Sequence, residues 1–283
     1  MTPLREAMTR AMQMRGFSER THHSYLMAVT DLARWTKRSP ADLSPVQVNA
    51  YFEYLVIERG LAPASCRLFF HGIRFLYVQV LHWPETALSI VLPKRPQRIP
   101  QLLTHSEVAR ILGACEEPRY HMIPALCYGC GLRVSELLAV QVSHLDGERR
   151  LLRVEQGKGA KDRLLPLSET LLEQLRLYWR RYHPRSWLFP GRRSDHPLCC
   201  TSVQKVYTTA KRQAGITKTG GIHSLRHAYA THLLEAGLPI HRLQRLMGHR
   251  NLQSTERYVH WVPAYREGEG DADLIANLGV DHG

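Results

Sequence analysis

His223-Ser224-Leu225-Arg226, then Leu246-Met247-Gly248-His249, then Tyr258: these stations near the end of the chain decide how the whole sequence is read. Gly220 and Gly221 break the chain before His223, and Leu225, Ala228, Leu233 and Leu234 recur at helical spacing after it. The pattern predicts a helix with His223 and Arg226 one turn apart on the side opposite the apolar residues. Gly237 stops that helix. Pro239 opens a second, short one with Ile240, Leu243, Leu246 and Met247 apolar, and Gly248 ends it, leaving His249 at a helix terminus. Ser254 is the expected N-cap of a last short helix carrying Tyr258.

These residue types suit one kind of chemistry. A guanidinium is a planar fork of donors that matches two phosphate oxygens and keeps its charge. An imidazole can donate, accept or move a proton near neutral pH. A tyrosine hydroxyl, with an ordinary pKa of about 10, needs neighbouring positive charge and a proton acceptor before it attacks. Together they read as a nucleophile beside a phosphate pocket, hence covalent phosphoryl transfer. Each taken singly is more often an ordinary, partly buried polar residue.

The composition points to a polyanionic partner. With 283 residues the chain has room for about two domains. Its 38 Lys and Arg outnumber 25 Asp and Glu, a formal net charge of +13. The excess is spread along the chain, with 13 basic and 7 acidic residues in positions 1–100 and the other 25 and 18 beyond them. Two basic domains gripping nucleic acid would have this distribution, although solubility explains part of it. The six cysteines (Cys66, Cys115, Cys127, Cys130, Cys199, Cys200) read as reduced thiols in a cytoplasmic protein, because residues 1–14 alternate charge and lack the apolar core of a signal peptide. Cys127 and Cys130 have C-x-x-C spacing without a second pair, so no metal site is expected. No run reaches the roughly 18 apolar residues of a membrane span.

Taken in order, residues 1–17 are polar helical text. Tyr25, Val29, Leu32 and Ala33 follow a cap at Ser18. Val48, Tyr51, Phe52 and Leu55 follow Ser44-Pro45, and Cys66, Phe69, Phe70, Ile73, Tyr77 and Val80 follow Pro63. Residues 1–90 therefore form a helical unit whose aromatics read as core before they read as a base-stacking platform. Residues 91–103 carry three prolines together with Lys94, Arg95 and Arg98. This is a linker, read equally as a solvated connection or as a basic strap across a phosphate backbone. Thr104-His105-Ser106-Glu107 has capping-box spacing and opens the second domain, residues 104–262. There Gly131 precedes Arg133, which stands three residues before Glu136, an arrangement that is usually a surface pair of little energetic value. Residues 151–154 and 163–167 read as two strands around a turn that carries Lys158 between glycines; such a lysine is either merely solvated or a general acid. Ser168 caps a further helix, and residues 203–214 form another that carries Lys205, Lys211 and Arg212. Residues 263–283 are a tail in which Asp273–Leu278 reads as a brief amphipathic helix.

The text Gly131-Leu132-Arg133-Val134-Ser135-Glu136-Leu137-Leu138, Gly157-Lys158-Gly159 with Lys161 and Arg163, His223-Ser224-Leu225-Arg226-His227, Leu246-Met247-Gly248-His249 and Tyr258 resembles the tyrosine recombinase (phage integrase) family, in particular its Xer-like and transposon-borne members. The resemblance spans essentially the whole chain. It implies a mainly α fold with a small β-sheet, arranged as a two-domain C-shaped clamp on DNA: a helical SAM-like core-binding domain and a mixed α+β catalytic domain. It also implies site-specific recombination through a 3′-phosphotyrosine and a Holliday junction, with no cofactor, metal or ATP.

In that scheme Arg133 and Arg226 hold the scissile phosphate and His249 adds a third donor. Tyr258 attacks, Lys158 protonates the leaving 5′-oxygen with Lys161 as the alternative, His223 assists the tyrosine proton, and Glu136 orients the pocket. His227, adjoining Arg226, falls off the matched position. Lys94, Arg95, Arg98, Lys161, Arg163, Lys205, Lys211 and Arg212 are expected on DNA. Leu274, Ile275 and Leu278 are expected to dock on a neighbouring protomer or to be a frayed end. The implied partners are a duplex recombination site and a homotetramer on paired sites, and accessory proteins are compatible with this. The competing readings are a type IB topoisomerase and a noncatalytic DNA-binding protein of the same fold.

Overall fold

The computed structural model describes residues 2–88, 90–94, 99–155, 162–193, 195–262, 265 and 274–279. The expectations placed on Arg95, Arg98, Lys158 and Lys161 lie outside them. The chain divides into two compact units, Met1–Arg98 and Ile99–Gly283.

The first unit is built of α1 (Pro3–Met14), α2 (Glu19–Thr36), α3 (Pro45–Glu53) and α4 (Pro63–Arg74), the last two extended by π-helical turns at Tyr54–Glu58 and Phe75–Val80. Its helix starts follow local chemistry. The Ser18 hydroxyl accepts from Thr21 N, and Ser44 and Gln47 cap each other reciprocally beside Pro45 at the first helical position. Tyr51, Phe52, Phe69 and Tyr77 are buried with Leu32, Val48, Leu55 and Ile73, so these four aromatics are core, while Phe70 packs partly buried against them and Trp35 is exposed. Residues 3–14 are an ordered helix whose Met8 and Met12 pack against Phe75 and Leu76. The buried Tyr77 hydroxyl donates to Pro40 O at 2.8 Å, and Tyr51 donates to Asp31 at 2.6 Å, so neither ring buries an unpaired oxygen.

The second unit contains α5 (His105–Gly113), α6 (Pro118–Gly129), α7 (Val134–Leu138), β1 (Leu145–Asp146), β2 (Leu151–Val154), β3 (Arg163–Pro166), α8 (Glu169–Tyr182), α9 (Cys200–Gln213), α10 (His223–Glu235), α11 (Ile240–Met247) and α12 (Gln253–Val259). The strands form one antiparallel sheet in the order β1-β2-β3, with Val154 opposite Arg163. β1, two residues long, was not expected from the sequence. The Thr104–Glu107 capping box is formed in both directions, and Ser168 caps α8. Among the described residues no helix is long and apolar enough to cross a membrane.

Three local expectations are corrected. α10 is buried nearly all round, and Arg226 points into the protein at 1% exposure; it does not share a polar face with His223. α12 starts at Gln253 with Leu252 as its N-cap, so Ser254 lies inside the helix and caps nothing. Among the described residues of the tail, Ala276–Leu278 form a 3-10 turn where the sequence suggests an amphipathic helix, preceded by Leu274 and Ile275, which are buried in this unit's own core.

Gly131 is the backbone device that delivers Arg133. It ends α6 with φ +59°, and a Cβ built there would lie 2.3 Å from the Tyr229 ring of α10. Gly131→Ala therefore combines a left-handed backbone with a clash against a buried ring, and should cost about 3 kcal/mol of stability. Urea unfolding measures it. A wild-type midpoint would mean that the Tyr229 ring steps aside without cost.

Candidate active site

The site is assembled on one buried carboxylate. Glu136, on the first turn of α7 and only 6% exposed, accepts from Arg163 Nη1 and Nη2 at 3.0 and 2.9 Å and from Arg133 Nη1 at 2.6 Å. Its Oε2 also takes the Arg133 backbone N–H at 2.8 Å and lies 3.8 Å from Arg226 Nη1. Burial alone would raise this carboxyl, but Arg163 and then Arg133 hold it down at about 2. The carboxylate of an i,i+3 pair that is usually a surface ornament is here the counter-charge of three guanidiniums.

Arg226 is fixed from α10 by buried carbonyls. It donates to Gly131 O and to Met247 O, and its Nη2 lies 3.1 Å from His249 Nε2. Burial and the neighbouring Arg133 lower its pKa to about 10, which leaves it charged at neutral pH. Arg133, on the turn before α7, reaches Gly248 O at 3.4 Å. Gly248 ends α11 with φ +61° and has no Cβ to obstruct Arg163, whose guanidinium a Cβ there would meet at 3.0 Å.

Arg163 was expected on DNA. Its bidentate grip on Glu136 and a 2.9 Å bond from Nε to Leu246 O engage three of its five N–H donors inside the protein, so it braces the pocket.

His249 is poised in an unexpected tautomer. Arg226 can only donate, so His249 Nε2 accepts, and Nδ1 carries the proton toward Thr255 Oγ1 at 2.9 Å. Desolvation, then Arg226 and Arg133, lower its pKa to about 3. His249 thus presents an acceptor at Nε2 in this arrangement, where the sequence reading had a donor.

Tyr258 lies on α12 at 2% exposure, its ring parallel to His249 at 6.3 Å and edge-on to Trp261 at 5.0 Å. Burial raises its pKa, against the lowering pull of Arg226, Arg257 and Arg133, so the phenol is protonated at rest. Its hydroxyl sits 3.0 Å from Nδ1 of His227. His223 lies at the exposed rim with its ring 4.7 Å from His227. Partial desolvation and then Arg226 lower the His223 pKa. Sequence reasoning set His227 aside for its position; what could have found it is that α10 places it one residue past Arg226, with α12 facing it.

Elsewhere, Lys94, Lys205 and Arg212 are exposed, whereas Lys211 donates from Nζ to the carbonyls of Lys218 and Gly220. Ile275 packs beside Gly129 and Leu171, and Leu278 packs against the same core. Cys127 and Cys130 are buried, and burial pushes the Cys130 thiol up to about 12. His105, His232 and Glu235 bring three ligand atoms within 4.8 Å. The two imidazoles are stacked 3.7 Å apart at 17°, so their in-plane lone pairs do not converge. Both His232 nitrogens are also engaged, by Tyr128 at 2.8 Å and Leu103 O at 2.9 Å.

Arg133, Arg163 and Arg226, from the turn before α7, from β3 and from α10, thus meet around one carboxylate, with His249 against Arg226 and the Tyr258 phenol beside His249 and His227. Residues 101–264 match the phage integrase family and residues 4–85 the phage integrase N-terminal SAM-like domain. The integrase/recombinase y4qK of Sinorhizobium fredii is 41% identical over 92% of this chain and 84% of its own. The tyrosine recombinase XerA of Thermococcus kodakarensis is 32% identical over 94% of each. In fold, the chain is similar to the Tn1549 transposon integrase solved with transposon right end DNA (TM-score 0.71, 16% identity, 91% of this chain and 94% of that one). It is equally similar to a lambda integrase dimer bound to a core site (TM-score 0.71, 20% identity, 88% and 96%). The chain belongs to the phage integrase family, the tyrosine-type site-specific DNA recombinases.

Proposed function

We propose that this recombinase cuts and rejoins duplex DNA through a 3′-phosphotyrosine at Tyr258, exchanging strands by way of a Holliday junction. The observation that carries the reading is the chain of contacts by which Arg133 and Arg226 meet at Glu136, His249 lies against Arg226, and the Tyr258 ring lies parallel to His249, four groups from four separate segments. Arg133 and Arg226 take the nonbridging oxygens of the scissile phosphate, where charge builds in the pentacoordinate transition state. His249 joins them once the phosphate anion favours its protonated form and releases Nε2 from its acceptor role. Lys158, or Lys161 in its place, protonates the leaving 5′-oxygen. Because the phosphotyrosine conserves the energy of the broken ester, religation to a partner strand needs no ATP.

Around this centre the helical domain of residues 1–90 and the catalytic domain of 104–262 both hold DNA. The 91–103 linker crosses the backbone with Lys94, Arg95 and Arg98, and Lys205 and Arg212 add phosphate contacts from α9. The protein works in the cytoplasm as a homotetramer on two paired sites. Leu274, Ile275 and Leu278, which pack in their own core in the structure, leave it to dock on the neighbouring protomer.

Nicked suicide duplexes tiled across the DNA flanking the gene test the reading on a denaturing gel. A protease-sensitive adduct at a strand 3′-end, formed without added metal or nucleotide, is the expected result. Salt-sensitive binding with no adduct on any duplex would favour a noncatalytic binder, and relaxation of supercoiled DNA by monomer would favour a topoisomerase.

A further inference from the structure

We infer that His227 is the base that takes the Tyr258 proton during strand cleavage and returns it during rejoining. This assignment rests on the strand-transfer reading above and deepens it. Among the described residues, His227 is the hydrogen-bond partner of the Tyr258 hydroxyl, at 3.0 Å from Nδ1. That is the distance a proton acceptor must keep from the oxygen it deprotonates. His223, the histidine at the matched position, touches His227 instead, ring to ring, and lies at the exposed rim.

The surroundings keep His227 ready to accept. It faces His223 and Arg226 from its own helix, and Tyr258, Arg257 and Trp261 from α12 and the turn after it. No carboxylate is among these groups. Desolvation, then His223, Arg257 and Arg226, lower its pKa to about 4, so the ring is neutral at physiological pH. A neutral ring beside a protonated phenol takes the hydrogen bond at Nδ1 and carries its own hydrogen on Nε2. The ring is held edge-on against Trp261 at 5.6 Å, which fixes the direction of the Nδ1 lone pair.

In the cleavage step the Tyr258 oxygen forms a bond to phosphorus and the bond from phosphorus to the 5′-oxygen breaks. The phenolic proton passes to His227 Nδ1, giving an imidazolium, and the 5′-oxygen takes a proton from Lys158, or from Lys161 in its place. The incoming phosphate supplies the negative charge that makes this imidazolium stable, opposing the cations that otherwise suppress it. On rejoining, the imidazolium returns its proton to the departing phenolate.

The test is single-turnover adduct formation on the full chain with a suicide duplex across pH 5.5–9.5, for wild type, His227→Ala, His227→Asn and His223→Ala. Unfolding midpoints and DNA affinity, measured in parallel, separate misfolding from chemistry. His227→Ala and His227→Asn should both slow the adduct by about 100-fold or more near neutral pH, regain rate as pH rises toward the phenol's own ionisation, and bind DNA as wild type does. Added imidazole should partly rescue the Ala variant. Wild-type rate and pH profile in His227→Asn, whose amide restores a hydrogen bond but accepts no proton, would reduce His227 to a positioning residue and overturn the assignment. So would a loss confined to His223→Ala. An adduct in wild type that is unchanged in the His227 variants sinks this inference alone, whereas no adduct in wild type sinks the strand-transfer reading beneath it.

Discussion

Tyr258→Phe should bind DNA with wild-type affinity and form no covalent adduct. The substitution removes one oxygen from a ring that is 2% exposed and held between His249, His227 and Trp261. Phe has the same rotamers and fills the same volume, so the packing of α12 on α10 survives. What is lost is the hydrogen bond to His227 Nδ1, leaving one acceptor unpaired at a cost of about 1 kcal/mol. The duplex is held by phosphate contacts spread over both domains in the proposed complex, and one buried phenol adds nothing to them. Chemistry has no such redundancy, because without that oxygen there is no bond to phosphorus. Denaturing electrophoresis on suicide duplexes, read beside a salt titration of binding, measures both halves. A covalent adduct persisting in the Phe variant would refute Tyr258 as nucleophile, and lost binding would mean that the ring contacts DNA or that α12 has moved.

Much of the architecture is legible in the sequence where local chemistry and tertiary packing agree. Ser18, Ser44, Thr104 and Ser168 announce helix starts because a cap satisfies orphan N–H groups whatever the rest of the chain does. Legibility fails where packing overrides the local pattern. α10 reads as amphipathic, yet α5, α6, α11 and α12 all pack on it, so its polar residues had to become a buried network. The arginine that a helical wheel turns toward solvent is therefore the one most deeply buried, and its partners are backbone carbonyls that leave no trace in a sequence motif. The bracing role of Arg163 is hidden for the same reason: at a strand start it looks like a DNA contact, and only the fold brings Glu136 beneath it. His227 is overlooked because motif matching weighs position along the chain, while its chemistry depends on which helix faces it. β1 is too short to carry a period, and it forms because β2 offers it an edge.

The second large effect is expected at Glu136, the group that makes a cluster of cations tolerable. Three guanidiniums meet there, Arg163 and Arg133 by direct hydrogen bonds and Arg226 at 3.8 Å, with side chains between 1% and 21% exposed. Glu136→Gln keeps the shape but removes the charge and sets an amide N–H₂ against guanidinium donors. Stripping one partner from a buried ionic cluster costs on the order of 3–5 kcal/mol, because the remaining charges stay buried without a counter-ion. Urea unfolding at neutral pH should record a loss of that size. The same logic fixes a pH window. The carboxyl sits at about 2 folded against an ordinary 4.5, so its contribution is complete above 4.5 and disappears as pH falls toward 2. The Gln variant should lack that part of the acid dependence. A polyanion can replace what the mutation removes, so sulfate or duplex DNA should restore more stability to Glu136→Gln than it adds to wild type. Equal stabilisation of both proteins would mean that the arginines do not converge on a phosphate site, and a wild-type unfolding midpoint would mean that Glu136 is not their counter-charge.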